Sequence, residues 1–338
     1  MASPNKAMKA LYLTRSATNT APQVSLATLP IPTPPPGHLL IKIHYSSIQP
    51  SDKLNVKGGF PKTTFPRIPG RDYAGTVVGG TPTRPDIKIG TEVYGSSGKS
   101  LGFTQDGVHA EYCVIPEEAL VEKPKTLSLL QAALVGVPFL TALQCLRRAR
   151  ATKDDIVLVL GATGGVGSAA VQIAKAMGCK RVLGAARSAT PGDPDRVVLS
   201  SSPADSLAEA IPQLTDNHGV DVVIDAVGNL ELMAAAYSQL AIRGRYVWIA
   251  SPRGPGAKTD FTFDIFQAYR KEIELIGCNT ANVTLAEVAD QLCVLRDWFE
   301  SGALRTRGED TVELVDLDDA IEKGYNGTGK RQAVIKMP

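Results

Sequence analysis

Histidine is scarce. There are four in 338 residues, His38, His44, His109 and His218, each isolated from the others in sequence. No Cys-x-x-Cys or His-Glu-x-x-His pattern occurs, so the clustered thiolate and imidazole ligands that zinc sites use are missing, and no catalytic metal is expected. The five cysteines, Cys113, Cys145, Cys179, Cys278 and Cys293, are odd in number and scattered. That argues for reduced, mostly buried thiols rather than a disulfide framework. No run of about 18 apolar residues occurs, and the N-terminal MASPNKAMKALYL has no apolar stretch long enough for a secretory signal. A soluble, cytoplasmic protein with no membrane partner is expected. An excess of one charge is absent too. Lys and Arg number 36 against 34 Asp and Glu, and without a basic run nucleic acid is excluded as the main partner.

Hydrophobic residues at 43% and charged residues at 21% suit a globular protein, and 338 residues predict two domains. Residues up to about 120 are rich in Pro, Gly and short β-branched runs such as LLIKIHY (39–45) and AGTVVGG (74–80), which predicts a compact β-rich domain. IPTPPPG (31–37) reads as a stiff connector. Helical spacing of apolar residues over 129–150 opens a different pattern. Short apolar strands at 156–160, 181–186, 197–199, 221–227, 245–250 and 272–278 alternate with helices such as 166–177 and 229–240. Strands apolar on both faces predict a doubly wound parallel sheet covered by helices. A last helix (285–299) and a strand (332–336) can rejoin the first domain.

Gly161, Ala162, Thr163, Gly164, Gly165, Val166 and Gly167 follow an apolar strand and open a helix, the setting of a dinucleotide fingerprint, here in the form AxGxxG. Gly164 lets the backbone approach a pyrophosphate, Gly167 lets the helix pack against the strand, and the helix N-terminus offers free amide donors. At the end of the next strand, where an acid would accept the ribose 2′-hydroxyl of NAD, stand Arg187 and Ser188. These can hold a 2′-phosphate, so NADPH is favoured. Two phosphate-loop lures fail: Val93 replaces the leading glycine before Gly98-Lys99-Ser100, and Arg331 replaces the Ser or Thr after Gly324–Lys330. The hydroxyl-rich stretch YGSSGKS (94–100) contains no GxSxG elbow, and a hydrolase has little support.

IQPSDKLNVKGG (48–59), IPGRDYAGTV (68–77), DGVHAEYCVIP (106–116), LTAL (140–143), GATGGVGSAAVQIAKAMG (161–178), GVDVVIDAVG (219–228) and GTGKRQAVI (327–335) together resemble the medium-chain dehydrogenase/reductases, specifically the zinc-independent quinone oxidoreductase (zeta-crystallin-like) and enoyl reductase branch. The resemblance covers almost the whole chain. It implies a GroES-like β-barrel domain at 1–124, completed by 283–338, with a Rossmann domain at 125–282 and a homodimer formed through the edge of the Rossmann sheet. Gln49, Pro50, Arg71 and Asp72 stand where the family's catalytic zinc ligands Cys, a neighbouring His, His and Glu would be. By the resemblance, Gln49 takes the place of an Asn facing the nicotinamide, and Thr141 touches the nicotinamide end. Gly164, Gly165 and Val166 bind pyrophosphate, and Arg187 and Ser188 the 2′-phosphate. Ser201 stands where a Tyr beside the adenosine is usual, and Lys330 is near the cofactor cleft. Gly161, Thr163, Val227 and Gly228, in the same motifs, complete the candidate cofactor set. SATPGDPDRV (188–197) replaces a longer segment, which implies a shortened second Rossmann helix.

With no metal and no clear acid–base pair, the chemistry expected is hydride transfer from NADPH to an electrophilic small molecule, an activated C=C bond in the leading reading. A developing enolate needs donors, Gln49 among the candidates. The proton can come from water, Tyr73, Lys53 or Ser51. The alternatives are a quinone reductase, a carbonyl reductase, and a non-catalytic NADPH-binding structural or redox-sensing protein.

Overall fold

The computed structural model describes residues 7–17, 20–189, 192–254, 256–329 and 331–338. They form two compact units, one of residues 1–140 with 280–338, the other of 141–279.

In the first unit, β1 (Ala7–Thr14) and β2 (Gln23–Pro30) form an antiparallel pair. Then follow β3 (His38–Ser47), α1 (Pro50–Asn55), β4 (Asp72–Gly80), β5 (Glu92–Gly95), β6 (Tyr112–Pro116), β7 (Val121–Glu122) and α2 (Leu129–Ala132). β3 alternates as its sequence does, with Leu39, Ile41 and Ile43 fully buried, because successive strand side chains point to opposite faces. The apolar run expected as one helix over 129–150 is two, α2 and α3 (Gly136–Arg148). Pro138 lacks the N–H that a continuous helix needs there. Leu130 and Leu134 pack with Val312 and Val334, so α2 belongs with the first unit, and the units divide inside α3.

The second unit holds β8 (Ile156–Leu160), α4 (Gly165–Ala176), β9 (Arg181–Ala186), β10 (Arg196–Val198), α5 (Pro203–Leu214), β11 (Val220–Asp225), α6 (Leu230–Ser238), β12 (Leu240–Trp248), α7 (Ile265–Arg270) and β13 (Glu274–Gly277). Its strands run parallel in the order β10-β9-β8-β11-β12-β13. The order reverses between β8 and β11, the switch point at which ligands of such sheets bind, beyond the carboxyl ends of the strands. All five residues of β8 are buried, as a strand covered on both faces requires. The described residues between β9 and β10 form no helix. Asn229 caps α6 from outside, and Leu240 already begins β12, so the expected 229–240 helix is shorter at both ends.

The chain then returns through α8 (Leu285–Glu300), β14 (Val312–Asp316) and β15 (Gln332–Lys336). Thr284 and Glu287 form a capping box at the start of α8. β15 pairs antiparallel with β3 and parallel with β14, closing a seven-stranded sheet in the order β14-β15-β3-β4-β5-β7, with β6 beside β3. The C-terminal strands thus complete the sheet of the first unit. No described helix is long and apolar enough to cross a membrane.

Candidate functional site

Two sets of residues carry chemistry, one in each unit.

In the first unit a polar layer is folded into the interior around the start of α1 and the start of β4. Gln49, Asp52, Arg71 and Asp72 are 3%, 1%, 4% and 0% exposed. Gln49 precedes α1, and its backbone N–H donates to Asp52 Oδ2 at 2.8 Å. Its amide Nε2 donates to Asp72 Oδ2 at 2.9 Å and to Ser47 Oγ at 3.0 Å. Asp72 also accepts from Ser96 Oγ at 2.6 Å and from the Val137 N–H at 2.7 Å. The last contact sets a carboxylate on the first turn of α3, where the helix dipole favours negative charge. Gly136 is required there, since a Cβ would stand 2.2 Å from Asp72 Oδ1. The Arg71 guanidinium donates to Ser97 Oγ at 2.7 Å and to Ser51 Oγ at 2.8 Å.

Burial pushes the Asp52 carboxyl up to about 7 even though the Arg71 charge pulls the other way. Burial raises Asp72 as well, opposed by Arg71 and by its Ser96, Val137 and Gln49 donors. Beside this layer a cavity of about 10 Å³, the size of one water, is lined by Arg71, Ser96, Val137, Val283, Val288 and Gln291. Gln291 Oε1 is buried and has no hydrogen-bond partner. His109 Nδ1 and the Tyr325 hydroxyl are hydrogen-bonded at 2.7 Å, and burial lowers His109 to about 4, which keeps it neutral.

Tyr73 does not belong to this layer. It is 1% exposed and packs in the apolar core with Leu39, Ile41 and Val93, and burial pushes its hydroxyl far above the usual range. It follows Asp72 on β4 and so points to the other face of the strand. The expectation that Tyr73 donates a proton is therefore corrected. Lys53 Nζ donates to the Gly327 carbonyl at 3.0 Å, and Ser51 accepts from Arg71.

In the second unit the glycine loop lies at the carboxyl end of β8. The Gly161 and Ala162 N–H groups donate to the Ala185 carbonyl at 3.0 and 3.1 Å, and the Gly164 N–H to the Gly161 carbonyl at 2.8 Å. A Cβ on Gly167 would stand 2.1 Å from the Gly161 oxygen, whereas one on Gly164 would meet only that oxygen, at 3.2 Å. Gly167 thus serves close packing. Thr163 and Gly164 are exposed, and Gly165 and Val166 are half-buried. Gly161 has a left-handed φ of 75°, and a Cβ on it would stand 2.8 Å from Val227 Cγ2, so the β8 and β11 loops meet across the switch point. Asp225 holds the second loop, accepting at Oδ1 from the Val227 and Gly228 N–H groups at 2.8 and 3.1 Å and at Oδ2 from the Tyr246 hydroxyl at 2.9 Å. Arg187, Ser188 and Ser201 are exposed just beyond β9 and β10, whose ends are joined by the Leu199 N–H and the Ala186 carbonyl at 2.8 Å. Thr141 is buried on α3. Lys330 lies outside the described residues.

Sequence reasoning missed Asp52, Ser96, Ser97, Gln291 and Asp225, and saw Arg71 only as a missing ligand. Asp225 carried a signal, an acid ending an apolar strand. The others lie on segments far apart in the chain.

No group of three or more His, Cys, Asp or Glu side chains that can hold a metal ion occurs among the described residues. Where the resemblance puts the zinc ligands, an amide donates to a carboxylate and a guanidinium lies buried. That donor set does not fit zinc.

A family model described as alcohol dehydrogenase GroES-like domain matches residues 35–125, and one described as zinc-binding dehydrogenase matches residues 165–293. A zinc-type alcohol dehydrogenase-like protein of Schizosaccharomyces pombe is 42% identical over 93% of this chain and 92% of its own length. The human quinone oxidoreductase is 27% identical over 91% of each chain. The NADPH-dependent alkenal/one oxidoreductase of Arabidopsis thaliana chloroplasts is 36% identical over 56% of this chain and 50% of its own. The crystal structure of an alcohol dehydrogenase superfamily protein from Novosphingobium aromaticivorans superposes with a TM-score of 0.81 at 27% identity, covering 98% of this chain and 100% of that one. The chain belongs to the medium-chain dehydrogenase/reductase superfamily. It is therefore an oxidoreductase of a family that binds nicotinamide cofactors.

Proposed function

We propose that this protein is an NADPH-dependent reductase that delivers hydride to the activated C=C bond of an α,β-unsaturated carbonyl compound, without zinc. The observation that carries this reading is the buried Arg71, a fixed positive charge in the layer where the family's zinc chemistry would otherwise be. A guanidinium held by two serines can draw the negative charge that develops on a conjugated carbonyl oxygen. It has no open coordination position to polarise an isolated ketone as a Lewis acid does, so the activation must come from the substrate.

NADPH, when bound, supplies the hydride. Gly164, Gly165 and Val166 at the start of α4 hold the pyrophosphate, and the loops of Gly161 and Val227–Gly228 shape the switch point. Arg187 and Ser188 take the 2′-phosphate, with no acid at that strand end to prefer NADH. The alkenal/one oxidoreductase among the relatives supports the reading. The likeness to the human quinone oxidoreductase favours quinone reduction as the second reading.

The partner expected is a second copy of the chain in the cytoplasm. β13 ends the sheet, and Ile265, Phe266 and Tyr269 of neighbouring α7 are 72%, 60% and 62% exposed. Light scattering at the mass of one chain speaks against that assembly.

The test is NADPH consumption by chelator-treated protein with an enone, an enal, an ortho-quinone and a simple aldehyde, and NADH as control. Turnover of the enone or enal with NADPH, unchanged by the chelator, is expected. Turnover of the aldehyde alone, or its loss on chelation, contradicts the reading, and saturable NADPH binding without turnover favours a non-catalytic binder.

A further inference from the structure

The polar layer holds two fully buried carboxyl groups and one guanidinium, so its charge does not balance when both acids are ionised. The hydrogen bonds distinguish the two acids. Asp72 accepts three, from Gln49 Nε2, Ser96 Oγ and the Val137 N–H, and sits on the first turn of α3. Asp52 accepts one, from the Gln49 N–H. An anion is stabilised by the number of donors turned to it, so Asp72 keeps the charge that balances Arg71 and Asp52 is left without a counter-charge. Of the charged and titratable groups around Asp52, Arg71 and Asp72 come from the start of β4, and Tyr325, paired with neutral His109, comes from the end of the short π-helical segment Ala320–Tyr325 before β15. On its own helix, Lys53 is turned to the Gly327 carbonyl. None of these but Arg71 supplies positive charge.

We propose that Asp52 is a positioning residue that sets the net charge of the Arg71 layer, neutral when its carboxyl holds a proton and −1 when it does not, and so sets how strongly Arg71 draws charge onto a substrate oxygen. This rests on the role given to Arg71 above. Burial places the Asp52 proton at about 7, so the layer changes charge near neutrality, and reduction slows as pH rises through it. Asp52 touches no substrate in this role. Its effect is to release or oppose Arg71.

The experiment measures kcat/KM for enone reduction against pH for the wild type, Asp52→Asn and Ser51→Ala. The wild type is expected to fall by about tenfold or more across one ionisation centred near neutrality. D52N should keep the acid-side activity and lose that limb, and S51A should keep the limb. A D52N profile with the wild-type limb overturns the proposal. The carboxyl ¹³C resonances of wild-type protein labelled at Asp are followed in parallel, which requires neither turnover nor a folded variant. One carboxyl titrating near neutrality is expected, and the absence of any such carboxyl overturns the proposal. Absence of turnover on every enone, with that carboxyl present, counts against the reductase reading and leaves the charge count standing.

Discussion

Replacing Asp52 by Asn removes a proton-binding group from the interior while keeping an oxygen for the Gln49 N–H. The carboxyl moves from 3.8 to about 7 on folding because burial penalises its charge, a shift of about three units worth about 4 kcal/mol. From roughly pH 4 to 7 the native state holds a proton that the unfolded chain has released. The stability that this proton contributes is complete below the unfolded value and is lost as pH rises through the folded one. In that window it falls by about 1.4 kcal/mol per pH unit, then levels off. Asn cannot ionise, so D52N lacks this slope. Asp72 titrates in both proteins, so the difference between them isolates Asp52. Urea unfolding at a series of pH values, with m-values compared to exclude a change in the unfolded state, should show D52N gaining about 2 kcal/mol or more on the wild type between roughly pH 5 and 7. Parallel curves would require an Asp52 that is ionised or solvated at both ends of the range, and would overturn its buried, protonated state.

Gly167→Ala puts a Cβ 2.1 Å from the Gly161 oxygen and should cost about 1–3 kcal/mol in thermal or urea unfolding as α4 is pushed from β8. Gly164→Ala, whose Cβ meets only one atom at 3.2 Å, should fold normally and show its defect in NADPH affinity measured by fluorescence titration. Arg187→Glu changes an exposed side chain beyond β9, so Tm should be unchanged while the preference for NADPH over NADH inverts in competition binding. Tyr73→Phe removes a hydroxyl from the barrel core and should leave kcat for enone reduction unchanged within about twofold. A larger loss would return that hydroxyl to the chemistry.

The fold was legible where its causes are local. β8 and β9 are apolar runs bounded by turns, and the glycine loop is a contiguous stretch whose geometry follows from the residues themselves, so strand ends and the turn into α4 were readable. The break between α2 and α3 was not foreseen because the apolar spacing runs on across 133–135, and Pro138, which has no N–H to return to Leu134, leaves that spacing undisturbed. The polar layer was legible only in part. Gln49 and Arg71 stood out against the resemblance, but the layer also draws on Asp52, Ser96, Val137 and, through the neighbouring cavity, Gln291. No spacing rule links these segments, because the seven-stranded sheet and the return of α8 bring them together. Tyr73 was misassigned because adjacency to Arg71 and Asp72 in sequence means opposite faces on a strand.

The reductase proposed above delivers hydride to carbon at an activated double bond. NADPH carrying deuterium at C4 on the transferred face, incubated with the protein and a simple enone, gives a product whose label is located by NMR. Deuterium is expected at the carbon β to the carbonyl, with the carbonyl intact. Deuterium at the carbonyl carbon of an allylic alcohol would contradict the proposed reaction.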